Sequence, residues 1–135
     1  MSKAKRVVLS NGCFDILHLG HLHHLEMAKR QGDYLVVAVT NDRSVNKGPN
    51  RPYMGQIARA VIVRSLKWVD DVILVDSSLE ALKKIKPHVF AKGSEYKRRI
   101  RKEDREWCKK NKCRIHFTGS PLDSSTRIHD RIRGR

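Results

Sequence analysis

The segment from Tyr34 to Thr40, YLVVAVT, is apolar at nearly every position and rich in β-branched side chains. A strand with one wet face alternates apolar and polar residues; this one does not, so both of its faces must be covered. Sheets of that kind are built from parallel strands joined by crossover helices, and the rest of the chain supplies those parts in order. Arg6 to Ser10 is a short apolar run that ends at the turn signal Asn11-Gly12. Between these two runs, Leu22, Leu25 and Met27-Ala28 fall at helical spacing within His18 to Arg30, and Gly32 follows as a stop. Residues 43–56 hold Gly48, Pro49, Pro52 and Gly55 and read as a loop. A helix from Gln56 to Leu66, a strand from Asp71 to Val75, a serine-capped helix from Ser78 to Lys86 and a strand from His88 to Ala91 come next. A helix from Ile100 to Lys110, a strand from Arg114 to Phe117 and a short helix beginning near Ser124 complete the alternation. The spacing predicts one α/β domain over residues 1–135, a doubly wound parallel sheet of about five strands. Ligands of such sheets bind beyond the carboxyl ends of the strands, where the strand order switches. Function therefore belongs in the loops 11–18, 40–55, 92–99 and 118–125.

Composition narrows the class of partner. A chain of 135 residues with 39% hydrophobic content can bury a core without staples. No stretch approaches the ~20 apolar residues of a membrane span. The apolar run after the basic N-terminus, Val7 to Leu9, is too short for a signal peptide, so a cytoplasmic location and no membrane partner are expected. Cys13, Cys108 and Cys113 are odd in number and lack a second metal-ligand pair, which favours reduced thiols over zinc or disulfides. The net charge of +15 admits either a polyanion-binding face or a solvated basic surface. The basic runs Lys83–Lys86, Lys97–Arg105, Lys109–Arg114 and Arg127–Arg135 mostly sit at helical spacings, and acids (Glu103, Asp104, Glu106) fall among them. Aromatics are 6% with no interleaved stacking pattern. A solvated surface with no specific nucleic-acid partner is the expectation.

The loop after the first strand reads Gly12-Cys13-Phe14-Asp15-Ile16-Leu17-His18-Leu19-Gly20-His21. A helix N-terminus offers free N–H groups and the positive end of its dipole to an anion. His18 and His21, three apart, can reach the same anion from one helical face. Gly20 permits close approach of a nucleotide to the backbone. Imidazolium donors placed there would stabilise the charge of an in-line phosphoryl transfer. Read without further context, the two histidines could equally be capping or surface residues, and Asp15 only an N-cap. His23 and His24 read as helix or interface residues.

The ten-residue segment resembles the G-x-F-D-x-x-H-x-G-H signature of the cytidylyltransferase-like branch of the nucleotidyltransferase superfamily, a Rossmann-like fold. The resemblance implies that His18 and His21 contact the phosphates of an NTP. It also implies that Asp15 holds the loop or the metal-bound triphosphate, and that Gly12, Cys13, Phe14 and Gly20 frame the nucleotide. Lys47-Gly48-Pro49-Asn50-Arg51-Pro52 is similar to the K-G-x-x-R-P segment of the adenylyltransferases that make ADP-heptose from a heptose 1-phosphate. Lys47 there implies a cation near the point of transfer, on a loop that closes over the triphosphate. Arg51 and Arg59 are the expected contacts of the acceptor's phosphate; Arg59 otherwise decorates an exposed helix face. Ala91-Lys92-Gly93-Ser94-Glu95-Tyr96 is similar to the family's V-K-G-G-D-Y segment, which puts Lys92 and Gly93 beside the nucleotide. Asp123-Ser124-Ser125-Thr126-Arg127-Ile128 resembles I-S-T-T-x-I, whose hydroxyls and helix-start N–H groups hold the β- and γ-phosphates. Here Asp123 stands in place of isoleucine and Ser125 in place of threonine.

The resemblance implies a reaction without a protein nucleophile. An oxygen of the acceptor's phosphate attacks the α-phosphorus of the NTP and pyrophosphate leaves, with Mg²⁺ bridging the triphosphate. Adenylyl transfer to a sugar 1-phosphate such as heptose 1-phosphate is the favoured pair of substrates, with CTP and glycerol 3-phosphate as the alternative. A basic nucleic-acid-binding protein on a degenerate transferase fold is the alternative of another class, disfavoured by the intact His18, His21, Lys47 and Ser124. A homodimer is expected, as relatives commonly form one.

Overall fold

Alternate side chains of one strand enter opposite faces of the sheet, and the central strands of this protein show it directly. Leu35, Val37 and Val39 pack with Leu25, Ala28 and Val63 on one side. Val36 and Ala38, from the same strand, pack with Ala81, Leu82 and Cys108 on the other. The computed structural model describes residues 5–94, 97 and 99–119. In it five strands and four α-helices alternate. They are β1 (Val7–Gly12), α1 (Leu19–Lys29), β2 (Tyr34–Thr40), α2 (Gln56–Arg64), β3 (Asp71–Val75), α3 (Ser78–Ile85), β4 (Val89–Lys92), α4 (Lys102–Lys110) and β5 (Arg114–Phe117), with a 3-10 turn at Asp42–Ser44. All strands are parallel in the order β3-β2-β1-β4-β5. The fold is the expected doubly wound, Rossmann-like α/β sheet. α1 and α2 cover one face, α3 and α4 the other.

Most boundaries fall where the periodicity places them, and the exceptions have local causes. β1 runs two residues beyond Ser10, through the Asn11-Gly12 pair that reads as a turn. Asn11 and Gly12 stay in register with Ala38 and Val39, and the Asn11 side-chain amide donates to Ala38 O at 2.9 Å. Ladder pairing outweighs the local turn preference. α1 starts at Leu19 because His18 is its N-cap, with extended backbone. α4 starts two residues after Ile100, following Arg101 in extended conformation. Gly32, the expected stop of α1, has a steric reason: a Cβ there would lie 2.5 Å from the Arg6 carbonyl oxygen. The short helix expected near Ser124 lies outside the described residues. No helix among the described residues is long and apolar enough to cross a membrane.

The strand order reverses between β1 and β4. The loop that leaves β1, residues 13–18, and the end of β4 with the residue after it, Lys92-Gly93, therefore flank one crevice at the carboxyl edge of the sheet.

Candidate active site

Beyond Gly12 the chain bends through Phe14, whose backbone is left-handed (φ 56°). The Phe14 ring drops into the core beneath α1. A Cβ on Gly12 would meet that ring at 2.9 Å, so the glycine serves the aromatic packing as well as the cleft it lines. Asp15 is buried, and its carboxylate is filled from one direction. Oδ2 accepts from Tyr53 N at 2.7 Å and from Arg51 Nε at 3.0 Å, and Oδ1 accepts from Met54 N at 3.1 Å. Burial opposes its charge, but the Tyr53 amide, the Arg51 guanidinium and the Met54 amide outweigh it and hold the carboxyl below the usual range. Asp15 thereby holds the loop, the first of the two roles the sequence left to it.

Two expectations are corrected here. Arg51 does not present a fork to an acceptor: Nε and Nη2 both go to Asp15, and its guanidinium lies 4.3 Å from the Tyr53 ring centre. Arg59 is neither an acceptor contact nor an exposed decoration. It is fully buried. Its donors go to Met54 O (2.8 Å), Cys13 O (2.9 Å), Thr40 O (2.8 Å) and the Asp42 carboxylate (2.6 Å). One guanidinium thus ties the loop after β1, the end of β2 and the start of α2 together. A planar head with five donors can satisfy several carbonyls that converge from separate loops, which explains an arginine in this place.

The two motif histidines form a mutual cap. His18 Nδ1 accepts from Gly20 N at 3.1 Å, and His21 Nδ1 accepts from His18 N at 3.2 Å. Their rings stack with centres 3.9 Å apart. The capping reading and the phosphate-binding reading are therefore compatible. Because each Nδ1 accepts a backbone N–H, it carries no proton, and the proton of each neutral ring sits on Nε2. Nε2–H is the donor left to a ligand. His21 is pushed down to about 4 by burial, then by His18 and Lys47. In the free protein it is neutral near pH 7.

These side chains line a cleft of about 200 Å³ together with Asn11, Cys13, Gly20, His24, Lys47, Lys92 and Gly93. The sequence-derived residues Gly12, Cys13, Phe14, His18, Gly20, His21, Lys47, Lys92 and Gly93 thus converge on one crevice. Ser124, Ser125 and Thr126 lie outside the described residues. Sequence reasoning missed His24 and Thr118. His24 Nε2 lies 2.6 Å from Ser10 Oγ and its Nδ1 lies 2.9 Å from Thr118 Oγ1, so the ring bridges the carboxyl ends of β1 and β5 at the back of the cleft. Two signals could have found it: a serine at the end of an apolar strand, and a histidine one turn on from His21.

His24 is also pushed down to about 4, chiefly by burial and then by Lys92 and the neighbouring histidines. An unfolded histidine takes up its proton near 6.5. Between these values the unfolded chain binds protons that the folded chain refuses. Stability is therefore full above about pH 6.5 and falls as the pH drops toward 4. For His24 the shift is on the order of 3 kcal/mol. Thermal melts from pH 7.5 to 4 are expected to show this loss, with a shallower slope in His24→Gln; equal slopes would contradict it.

The sequence profile of the family described as cytidylyltransferase-like matches residues 9–131. Bifunctional protein HldE of a Nitratiruptor species is 46% identical over 99 residues, covering 70% of this chain and 21% of that protein. Bifunctional protein HldE of Pelobacter propionicus is 42% identical over 99 residues, 70% of this chain and 20% of that one. The chain spans about a fifth of the length of these curated relatives. Among solved structures, the lipopolysaccharide core biosynthesis protein from Thermoplasma volcanium superposes with a TM-score of 0.73 at 28% identity, over 87% of this chain and 98% of that one. A pantothenate synthetase from Thermus thermophilus (TM-score 0.55, 14% identity, 84% of this chain and 55% of that one) shares the fold.

Proposed function

The chain belongs to the cytidylyltransferase-like family of nucleotidyltransferases, and from that premise we propose that it transfers AMP from ATP to a sugar 1-phosphate of the heptose type, releasing pyrophosphate. The stacked pair His18–His21 at the start of α1 carries this reading. Their backbone-fixed Nδ1 atoms leave two Nε2–H donors at a helix N-terminus, in the crevice where the sheet's strand order switches. Lys47 lines the same cleft from the loop after β2, close enough to act on His21, and adds a positive charge. An acceptor phosphate oxygen attacks the α-phosphorus; the bond to the β-phosphate oxygen breaks; pyrophosphate departs with that electron pair. The two Nε2–H donors and Lys47 meet the negative charge that gathers on the leaving group during the step. Two kinds of observation support the adenylyl and heptose choice: the Lys47–Pro52 segment and the likeness to the HldE proteins.

Mg²⁺ would enter this site as an ion carried by the triphosphate. Among the described residues no group of three or more His, Cys, Asp or Glu is placed to hold a metal, and Mg²⁺ usually keeps several waters beside phosphate oxygens. Bound there, it would neutralise triphosphate charge, while His18, His21 and Lys47 position the phosphates.

Pyrophosphate release across ATP, CTP, GTP and UTP, with heptose 1-phosphate, other sugar 1-phosphates and glycerol 3-phosphate, tests the proposal. The expected result is turnover with ATP and heptose 1-phosphate at least about tenfold above every other pair, and a fall of roughly 10²–10³ in Lys47→Ala. Preference for CTP with glycerol 3-phosphate would replace the substrates and keep the reaction. Release with no pair would reject the reaction.

A further inference from the structure

The cleft does not end at the histidines. Past Asn11, Gly12 and Lys47 it continues as a second hollow of about 300 Å³ on the opposite side of the sheet edge, reaching the first turns of α3 and α4. Two helix N-termini, capped at Ser77 and Arg101, open into this hollow. Lys47, Lys92, Arg99 and Arg101 line it, an environment suited to phosphate.

Two acids sit among these cations. Asp76 is occupied by Arg43, Asn41 and Ser44; the hydrogen bonding of the other, Asp104, is incomplete. Asp104 lines the hollow and is 2% exposed. Ser78 Oγ donates to its Oδ2 at 2.5 Å, which links α3 to α4. Oδ1 is buried with no hydrogen-bond partner among the described residues. Asp15, the other buried aspartate at this sheet edge, has both oxygens filled by the protein. A buried carboxylate that the fold anchors through one oxygen and leaves unsatisfied at the other is a costly arrangement unless a ligand completes it. Burial also raises the Asp104 carboxyl above its ordinary range, against the opposing Ser78 hydroxyl and Lys92 charge.

We propose that the hollow seats the acceptor, with its phosphate among Lys47, Lys92, Arg99 and Arg101 and a sugar hydroxyl donating to Asp104 Oδ1. The carboxylate repels phosphate, so it fixes which end of the acceptor lies against α4. The phosphate is thereby directed toward Lys47 and the histidines, where the α-phosphorus must lie. Asp104 is in this sense a specificity residue for a polyhydroxylated acceptor, and Ser78 positions it. The inference rests on the sugar-phosphate reading for the identity of its ligand, and the two are separable by experiment.

Titration calorimetry of the full chain with heptose 1-phosphate and, separately, with inorganic phosphate reads the site directly. Asp104→Asn keeps the side-chain volume and a bond to Ser78; Asp104→Ala removes both oxygens. In both, heptose 1-phosphate affinity is expected to fall roughly ten- to a hundredfold, whereas inorganic phosphate affinity is expected to hold or rise. In steady-state transfer the acceptor KM rises by a similar factor while the KM for ATP is unchanged. Equal effects on both ligands, or no effect on either, in variants with wild-type circular dichroism would overturn the proposal. So would wild-type protein that binds no heptose 1-phosphate, even if it transfers nucleotide to another acceptor. Binding that depends on Asp104 without pyrophosphate release from any NTP would uphold the site and reject the transferase reading.

Discussion

His21→Ala is expected to lower nucleotidyl transfer by about 10²–10³ while the protein stays folded. The loss follows from a single missing Nε2–H in a site where the ring's other nitrogen is already committed to the His18 amide. His21 is also part of the cap of α1, so its removal costs about 1 kcal/mol of stability as well. His18 separates the two contributions. Asparagine is a good N-cap, so His18→Asn is expected to recover the stability lost in His18→Ala without recovering turnover. Melting curves and pyrophosphate release on the same preparations give both readings. Near-wild-type turnover in His21→Ala would remove the histidine from the chemistry.

Arg59→Ala is expected to produce the largest loss of stability, about 3–5 kcal/mol, read as a fall in Tm of roughly 10–20 °C. Three backbone carbonyls, of Cys13, Thr40 and Met54, and the Asp42 carboxylate would lose their shared donor in one step. Arg59→Lys is expected to rescue little, because one ammonium cannot reach partners spread around a planar fork. Because these carbonyls shape the loop that holds His18 and Lys47, activity should fall together with stability. A Tm within about 2 °C of wild type would show that the loops hold without it.

The layout of the sheet was legible because it depends on short-range pattern. YLVVAVT, the apolar runs around it and the helical spacing between them fix strand, helix and parallel class with no knowledge of distant contacts. β2, β3 and β5 begin and end at the residues the pattern marks. The His18–His21 pair was legible for the same reason: three residues apart at a helix start is a local geometry. Asn11-Gly12 misled because turn preference is worth less than two more rungs of pairing with Ala38 and Val39.

The fates of the charged residues could not be read that way. Arg51 and Arg59 look alike in sequence, two arginines near a cationic loop, yet one is stapled to Asp15 and the other buried against three carbonyls. Asp104 sits in a run of lysines, arginines and glutamates that reads as a solvated helix face, and it is among the buried charges. His24 joins Ser10 and Thr118, the latter 94 positions away in the chain. The amino-acid sequence by itself determined the alternation of elements, the parallel sheet and the histidine-capped start of α1, since each follows from period and neighbours. Only the tertiary structure decided which charges line the cleft and which hold loops, because burial of a charge depends on partners that the fold brings from elsewhere in the chain.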